Sequence, residues 1–150
     1  MRQKLNKILR CPPGRLALIA EICALLALSR FTLTWLPLRV VRRGVWFLAG
    51  AGESLPAVRR RSLDEITRSL RSAEAHSPVG STCLAIAVVG QAVLRRHGCE
   101  SRLQIGVRRD ASGKILAHAW LVQDGKIVVG GPDSVIRNYT AMPDPEHLIA

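Results

Sequence analysis

Cys83 and His118 are the two residues whose types and settings could do covalent chemistry. A cysteine at the start of a helix and a histidine on a strand that folds back to it make an activated nucleophile and its base. Thr82, or Ser81 before it, is a good N-cap, and the run from Cys83 to Arg96 contains no proline and one glycine. This predicts a helix with Cys83 in its first turn, where the helix dipole favours a thiolate. His118 alternates with Leu116, Trp120 and Val122 on one face of a predicted strand, a poor setting for a solvated imidazole. Simpler readings stand beside these. A buried cysteine is often only a small hydrophobe, Leu84 to Val89 is an apolar run suited to a core, and a hydrogen-bonded structural histidine also fits a strand face.

Several elements must position this pair. The predicted Cys83 helix presents Leu84, Ala87, Val88, Gln91 and Leu94 at helical spacing and closes on Arg95, Arg96 and His97, with Gly98 as the C′ residue. Its first amides have no partner within the helix, so the Cys83 N–H is the natural oxyanion donor, whereas Gln91 sits two turns too far in. Strands are expected at 102–109, 115–122 and 126–129, the first two joined by DASGK and the last two by Asp124-Gly125. They form an antiparallel sheet packed on the Cys83 helix. Ser62 and Glu65 form a capping-box pair, which predicts a helix from Leu63 to about Ala75 bearing Leu63, Ile66 and Leu70 on one face. His76 then falls in the loop HSPVGS.

The segments TCLAIAVVGQAVLRRHG, LQIGVRR and AHAWLVQDGKIVVGG resemble the transglutaminase-like cysteine protease of lasso-peptide biosynthesis, the C-terminal, leader-peptidase half of the split B protein. The resemblance covers roughly residues 62 to 140, and the basic, hydrophobic segment before them is similar to what that family carries. It implies an α+β fold with a papain/transglutaminase-like core, a nucleophile helix on a small antiparallel sheet, preceded by a helical N-terminal segment. Cys83 then becomes the nucleophile and His118 the general base. It also implies a ribosomally made precursor peptide as substrate, with a separate leader-binding protein and an ATP-dependent, macrolactam-forming cyclase as partners. Four cysteines without a convincing signal peptide argue for reduced thiols and a cytoplasmic location, with membrane association through residues 1–61 left open.

The third member of the implied triad departs from the family's pattern. With a two-residue type I′ turn at Asp124-Gly125, Gln123 pairs with Lys126 and His118 falls opposite Gly131. Family members commonly place an acid near this point, but here Gly130 and Gly131 occupy it. Asp124 is six residues along the strand from His118, about 20 Å at roughly 3.3 Å per residue, and reads as the turn residue. Asp133, two residues beyond the opposite position, is the candidate acid, a diagonal neighbour about 7–8 Å away that a bend at Pro132 would bring closer. A solvated loop aspartate and a Cys-His dyad are the alternatives.

The remaining chain divides by charge. Residues 1–61 carry 12 Lys/Arg against Glu21 and Glu53, whereas residues 62–150 carry 10 against 9 acids, which suggests two parts: a basic hydrophobic helical segment, 1–61, and the protease core, 62–150. The basic part calls for an acidic partner or an anionic surface. A helix is expected from Pro12 or Pro13 to Thr34. Glu21 and Arg30 break its apolar run below spanning length and no cleavage site follows Leu28, so a buried helix is preferred to a membrane span or a signal peptide. Trp35, Leu36, Leu38, Val40, Val41, Trp46, Phe47 and Leu48 follow around Pro37. Core packing is their first reading, a partner-docking or peripheral membrane surface the second. Gly50 to Arg61 reads as a linker, and the segment past Asp133 as an irregular tail.

Other chemistries find little support. Cys11, Cys23, Cys83 and Cys99 have no C-x-x-C spacing and form no ligand set with His76, His97 or His147, so neither a metal nor a cofactor is expected. No phosphate loop, dinucleotide fingerprint or nucleic-acid module is present, and nucleic acid is not expected as a partner. Two further functions remain open: a non-catalytic adaptor, basic or at a membrane surface, and an acyl transferase using the same Cys-His pair.

Overall fold

The computed structural model describes residues 13–50, 55–56, 60–76 and 82–143. The basic residues before Pro13, most of the predicted linker, the 77–81 connection and the tail from 144 lie outside the described residues. Four helices and a sheet make up the body of the fold: α1 (Pro13–Leu33), α2 (Leu38–Leu48), α3 (Leu63–His76), α4 (Cys83–Arg96), β1 (Arg102–Arg109), β2 (Ile115–Gln123) and β3 (Lys126–Val129). A short α5 (Asp133–Ile136) and β4 (Thr140–Ala141) complete it. The expected α+β arrangement is present, a helical segment and a small antiparallel sheet in the order β3-β2-β1-β4.

The fold is built around α4. Ten consecutive residues, Ala85 to Leu94, are buried, which a surface helix with a single apolar stripe cannot achieve. Helices α1, α2 and α3 pack on α4 on one side and the sheet on the other. Thr82 caps its start, the hydroxyl accepting from the Ala85 N–H at 3.2 Å. Gly98 stops it: with φ +77, it lets its own N–H donate to Arg95 and that of Cys99 to Leu94, the paired bonds of a Schellman motif. Arg96 fastens the same end. Its guanidinium donates to both Glu21 oxygens, at 2.5 and 3.0 Å, and to the Ala49 carbonyl at 3.0 Å, tying α1 and the end of α2 to α4.

Helix α1 runs close to the expected bounds and is a core helix on one side only. Gly14–Leu33 is long and apolar enough to cross a membrane by length and composition. Yet Ile22 and Leu26 are buried in the common core, Ser29 is buried with its hydroxyl donating to Leu25, and Glu21 is committed to Arg96. The other side, Ala17, Ala20, Ala24, Leu28 and Phe31, faces outward.

The Trp/Phe segment corrects the core-packing expectation. Pro37 starts a helix rather than breaking apolar coil, and an 11-residue helix buries one stripe, here Val41 and Val45, continued by Ala49. Leu38 packs against that core and Trp46 is half-buried. Trp35, Leu36, Val40, Phe47 and Leu48 are exposed instead, Trp35 at 80% and Phe47 at 85%. The tail expectation is also corrected over its first part. The residues after Asp133 form α5 and β4, and β4 pairs with β1 through Gly106↔Ala141 and Val107↔Thr140. The predicted capping box is half-formed: Ser62 Oγ accepts from the Glu65 N–H, but the Glu65 carboxylate is taken by Arg61. His76 belongs to the last turn of α3 rather than to the loop.

His97, at the α4 C-cap, is buried at 4% exposure, with Nδ1 accepting from the Arg61 N–H at 3.2 Å and Nε2 without a partner among the described residues. Burial, then the nearby Arg96 and Arg61, hold its pKa below the ordinary 6.5, against weaker opposition from Glu21 and Glu65. As pH falls through 6.5 the unfolded chain takes up a proton that the folded His97 refuses, so stability drops until the lower folded-state pKa is reached. Urea midpoints of the native chain at pH 7.5 and 5.5 should therefore differ more than those of His97→Gln. Equal pH dependence in the two proteins would show that His97 does not carry this loss.

Candidate active site

Cys83 occupies the first position of α4, half-buried, with a free thiol. The Ala85 and Ile86 amides are taken by the side chain and carbonyl of Thr82. Those of Cys83 and Leu84 have no carbonyl one turn back in the helix, so they are the backbone donors nearest the thiol. The helix start thus places a thiol and two backbone N–H donors together.

His118 lies on β2 opposite Gly106 of β1. Its ring is flanked by Trp120, with centroids 6.1 Å apart, and by Tyr139, at 5.3 Å. Nε2 lies 2.6 Å from the Gly130 carbonyl. A carbonyl can only accept, so Nε2 carries the hydrogen and Nδ1 is left with the lone pair a base needs. The Trp120 indole is itself fixed, Nε1 donating to Gln104 Oε1 at 2.9 Å. Tyr139 was hidden in the segment read as tail; only its being the chain's single tyrosine marks it in the sequence.

The hairpin after His118 departs from simple alternation. Asp124 and Gly125 have φ of 48° and 74°, as a type I′ turn requires, and Gln123↔Lys126 and Val122↔Ile127 keep the expected register. A bulge then makes Leu121 pair with Val129. The extra residue shifts the chain beyond it, so Gly131 does not stand opposite His118 and Gly130 brings its carbonyl to the ring. Only glycine fits there. With φ +114, an added Cβ would stand 2.4 Å from the Trp120 Cβ and 3.0 Å from the Ala119 oxygen.

Asp133 is exposed at the start of α5, and among the described residues its carboxylate makes no hydrogen bond to His118. The ring's acid position is filled by a neutral carbonyl. Cys83 and His118 stand at similar levels. Leu121 lies against α4 at Gly90, 3.1 Å from where a Cβ would be; seven residues back to Cys83 rise about 10.5 Å, and three back to His118 about 10 Å. The faces differ, however. Ala119 and Leu121 join the core with α4, so alternation turns His118 and Trp120 to the sheet's other side, and no hydrogen bond joins the thiol to the ring. A cleft of about 420 Å³ is lined by Ile86 from the first turn of α4, Gly130, Gly131 and Pro132, with Arg71 and Glu74 from α3; neither Cys83 nor His118 lines it.

The sequence pattern of the transglutaminase-like superfamily matches residues 26–143. No curated protein and no solved structure matches the chain.

Gly130→Ala should cost about 2–4 kcal/mol in urea unfolding, from overpacking and a strained φ, and should abolish any slowly exchanging imidazole Nε2–H signal of His118 at pH 7. At Gly131, φ +111 but with nothing within 4 Å of an added Cβ, alanine should cost only about 1–3 kcal/mol of strain and keep that signal. Loss of the signal in both variants, or in neither, would remove Gly130 as the group that orients the ring.

Proposed function

This chain belongs to the transglutaminase-like superfamily, and on that footing we propose that it is a cysteine peptidase that removes the leader from a ribosomally made lasso-peptide precursor. Cys83 is the nucleophile, His118 the general base, and the Cys83 and Leu84 amides hold the oxyanion. The observation that carries the reading is a half-exposed thiol on a capped helix start, level with an imidazole whose Nε2 is engaged by the Gly130 carbonyl. In the free protein the two groups are not hydrogen-bonded and His118 is turned to the sheet face away from α4, so this chemistry requires the ring to be brought round to the thiol when a peptide binds.

The thiolate adds to the carbonyl joining leader to core, and the His118 imidazolium gives its proton to the leaving amine of the core. Water, deprotonated by the same imidazole, then attacks the thioester, which releases the leader carboxylate and restores the thiol. The cleft with Arg71 and Glu74 at its wall is where the leader would lie. A separate leader-binding protein and a cyclase acting on the freed amine complete the proposed setting, in the cytoplasm. Asp133 would assist only if α5 moved toward the ring.

A second reading, a non-catalytic adaptor of the same maturation complex, is favoured by one specific observation. His118 faces away from the α4 side of the sheet and has a carbonyl where a triad has an acid.

Mass spectrometry of a cognate precursor incubated with this chain and its leader-binding partner separates the two. Leader fragment and free core should appear with the native chain, fall by at least about 10³-fold with Cys83→Ala or His118→Ala, and change less than about threefold with Asp133→Asn. Cleavage that survives Cys83→Ala, or none from a folded chain with bound precursor, would favour the adaptor. A leader fragment whose terminal carbonyl is joined to an acceptor amine in place of a free carboxylate would instead indicate acyl transfer.

A further inference from the structure

We propose that the outward face of α1 and α2 is a docking surface for an anionic lipid bilayer, lying in the interface rather than crossing it. This rests on the surface alone and does not depend on the peptidase reading. Among the described residues, seven of the ten exposed large hydrophobics fall between Leu28 and Leu48. Three are aromatic: Phe31 at 71% exposure, Trp35 at 80% and Phe47 at 85%. Such values belong to side chains that stand out from the surface, suited to a soft interface and not to the walls of a groove built for one rigid partner.

The arrangement follows from the helices themselves. On α1 the outward residues Ala17, Ala20, Ala24, Leu28 and Phe31 carry no charge over four turns, whereas a helix face meant for water is normally polar. On α2 the side opposite Val41 and Val45 presents Val40 and Phe47 one heptad apart, with Arg39 and Arg43 beside them. Trp35 and Leu36 form the corner between the two helices.

Charge selects the occupant. From residue 22 to residue 52 the chain has Arg30, Arg39, Arg42 and Arg43 and no acidic residue at all. Arg42 lies over the Trp46 ring at 4.9 Å. Arg30, Arg39 and Arg43 are exposed, and no described carboxylate pairs with them. Protruding aromatics among exposed arginines are the pattern of an interfacial anchor, with the rings at headgroup level and the guanidiniums on lipid phosphates. A bilayer span is a poorer fit. Ile22, Leu26 and Ser29 are buried in the protein, and Glu21 is held by Arg96.

The test is flotation of the full chain with vesicles of phosphatidylcholine containing 30% phosphatidylglycerol, and with phosphatidylcholine alone. The native chain should bind the anionic vesicles, bind neutral ones at least about tenfold more weakly, and be released by salt. Arg30→Gln/Arg39→Gln/Arg43→Gln should weaken anionic binding about 100-fold, at roughly fivefold per cation. Phe31→Ser/Phe47→Ser should weaken it by at least about 30-fold. Trp35 emission should shift to the blue on binding, and Trp35→Phe should remove that shift. All these positions are exposed, and unchanged circular dichroism confirms the variants' fold. Failure of the native chain to bind, equal binding by the variants, or concentration-dependent dimerisation through this face without vesicle binding would each overturn the proposal.

Discussion

Burial of α4 on every side is the constraint from which the rest of the structure follows. A helix that is apolar all round cannot stop at one partner layer; it needs helices on one side and a sheet on the other. Ala85 to Leu94 meet that need, and Gly90 lets Leu70, Leu121 and Val129 close in from α3, β2 and β3. The two ends, where burial gives out, carry the polar work. Thr82 caps one and leaves Cys83 half-exposed; Arg96, His97 and Gly98 close the other.

The two ends solve opposite electrostatic problems. At the C-terminal end Arg96 places a cation beside the helix's negative pole and spends its donors on Glu21 and Ala49, which locks three helices together. Near the N-terminal end the histidine is oriented without any ion, by a backbone carbonyl and two aromatic rings. A neutral acceptor fixes the tautomer without a carboxylate beside the ring, and the charge beside Tyr139 is the Arg108 guanidinium, 5.2 Å over its ring.

Much of this was legible in the sequence because it is local. The Thr82 cap, the Gly98 stop, the Asp124-Gly125 turn and the start of α3 at Leu63 each depend on residues within one turn of one another. What was not legible depends on distant partners. The bulge between Leu121 and Val129 leaves no mark in KIVVGG, and together with the positive-φ glycines after it brings Gly130 to the ring and carries Asp133 into α5. Tyr139 reaches His118 only because β4 pairs with β1, a two-residue ladder too short to be seen as a pattern. Trp35 and Phe47 lie outside the core, unlike Trp46, for another reason. Composition says that Trp and Phe are usually buried, but at 3.6 residues per turn Phe47 falls on the side away from Val41 and Val45.

The bulge has a consequence for how this molecule behaves among copies of itself. KIVV is an apolar strand at the margin of the sheet, the kind of segment that recruits further strands and seeds aggregates. The irregularity twists that margin, and Gly130 and Gly131, both at positive φ, turn the backbone away after four residues. At the opposite margin β4 offers only two. The same backbone detour that delivers a carbonyl to His118 therefore leaves neither margin with a long, straight run of free donors and acceptors for a neighbouring chain to continue.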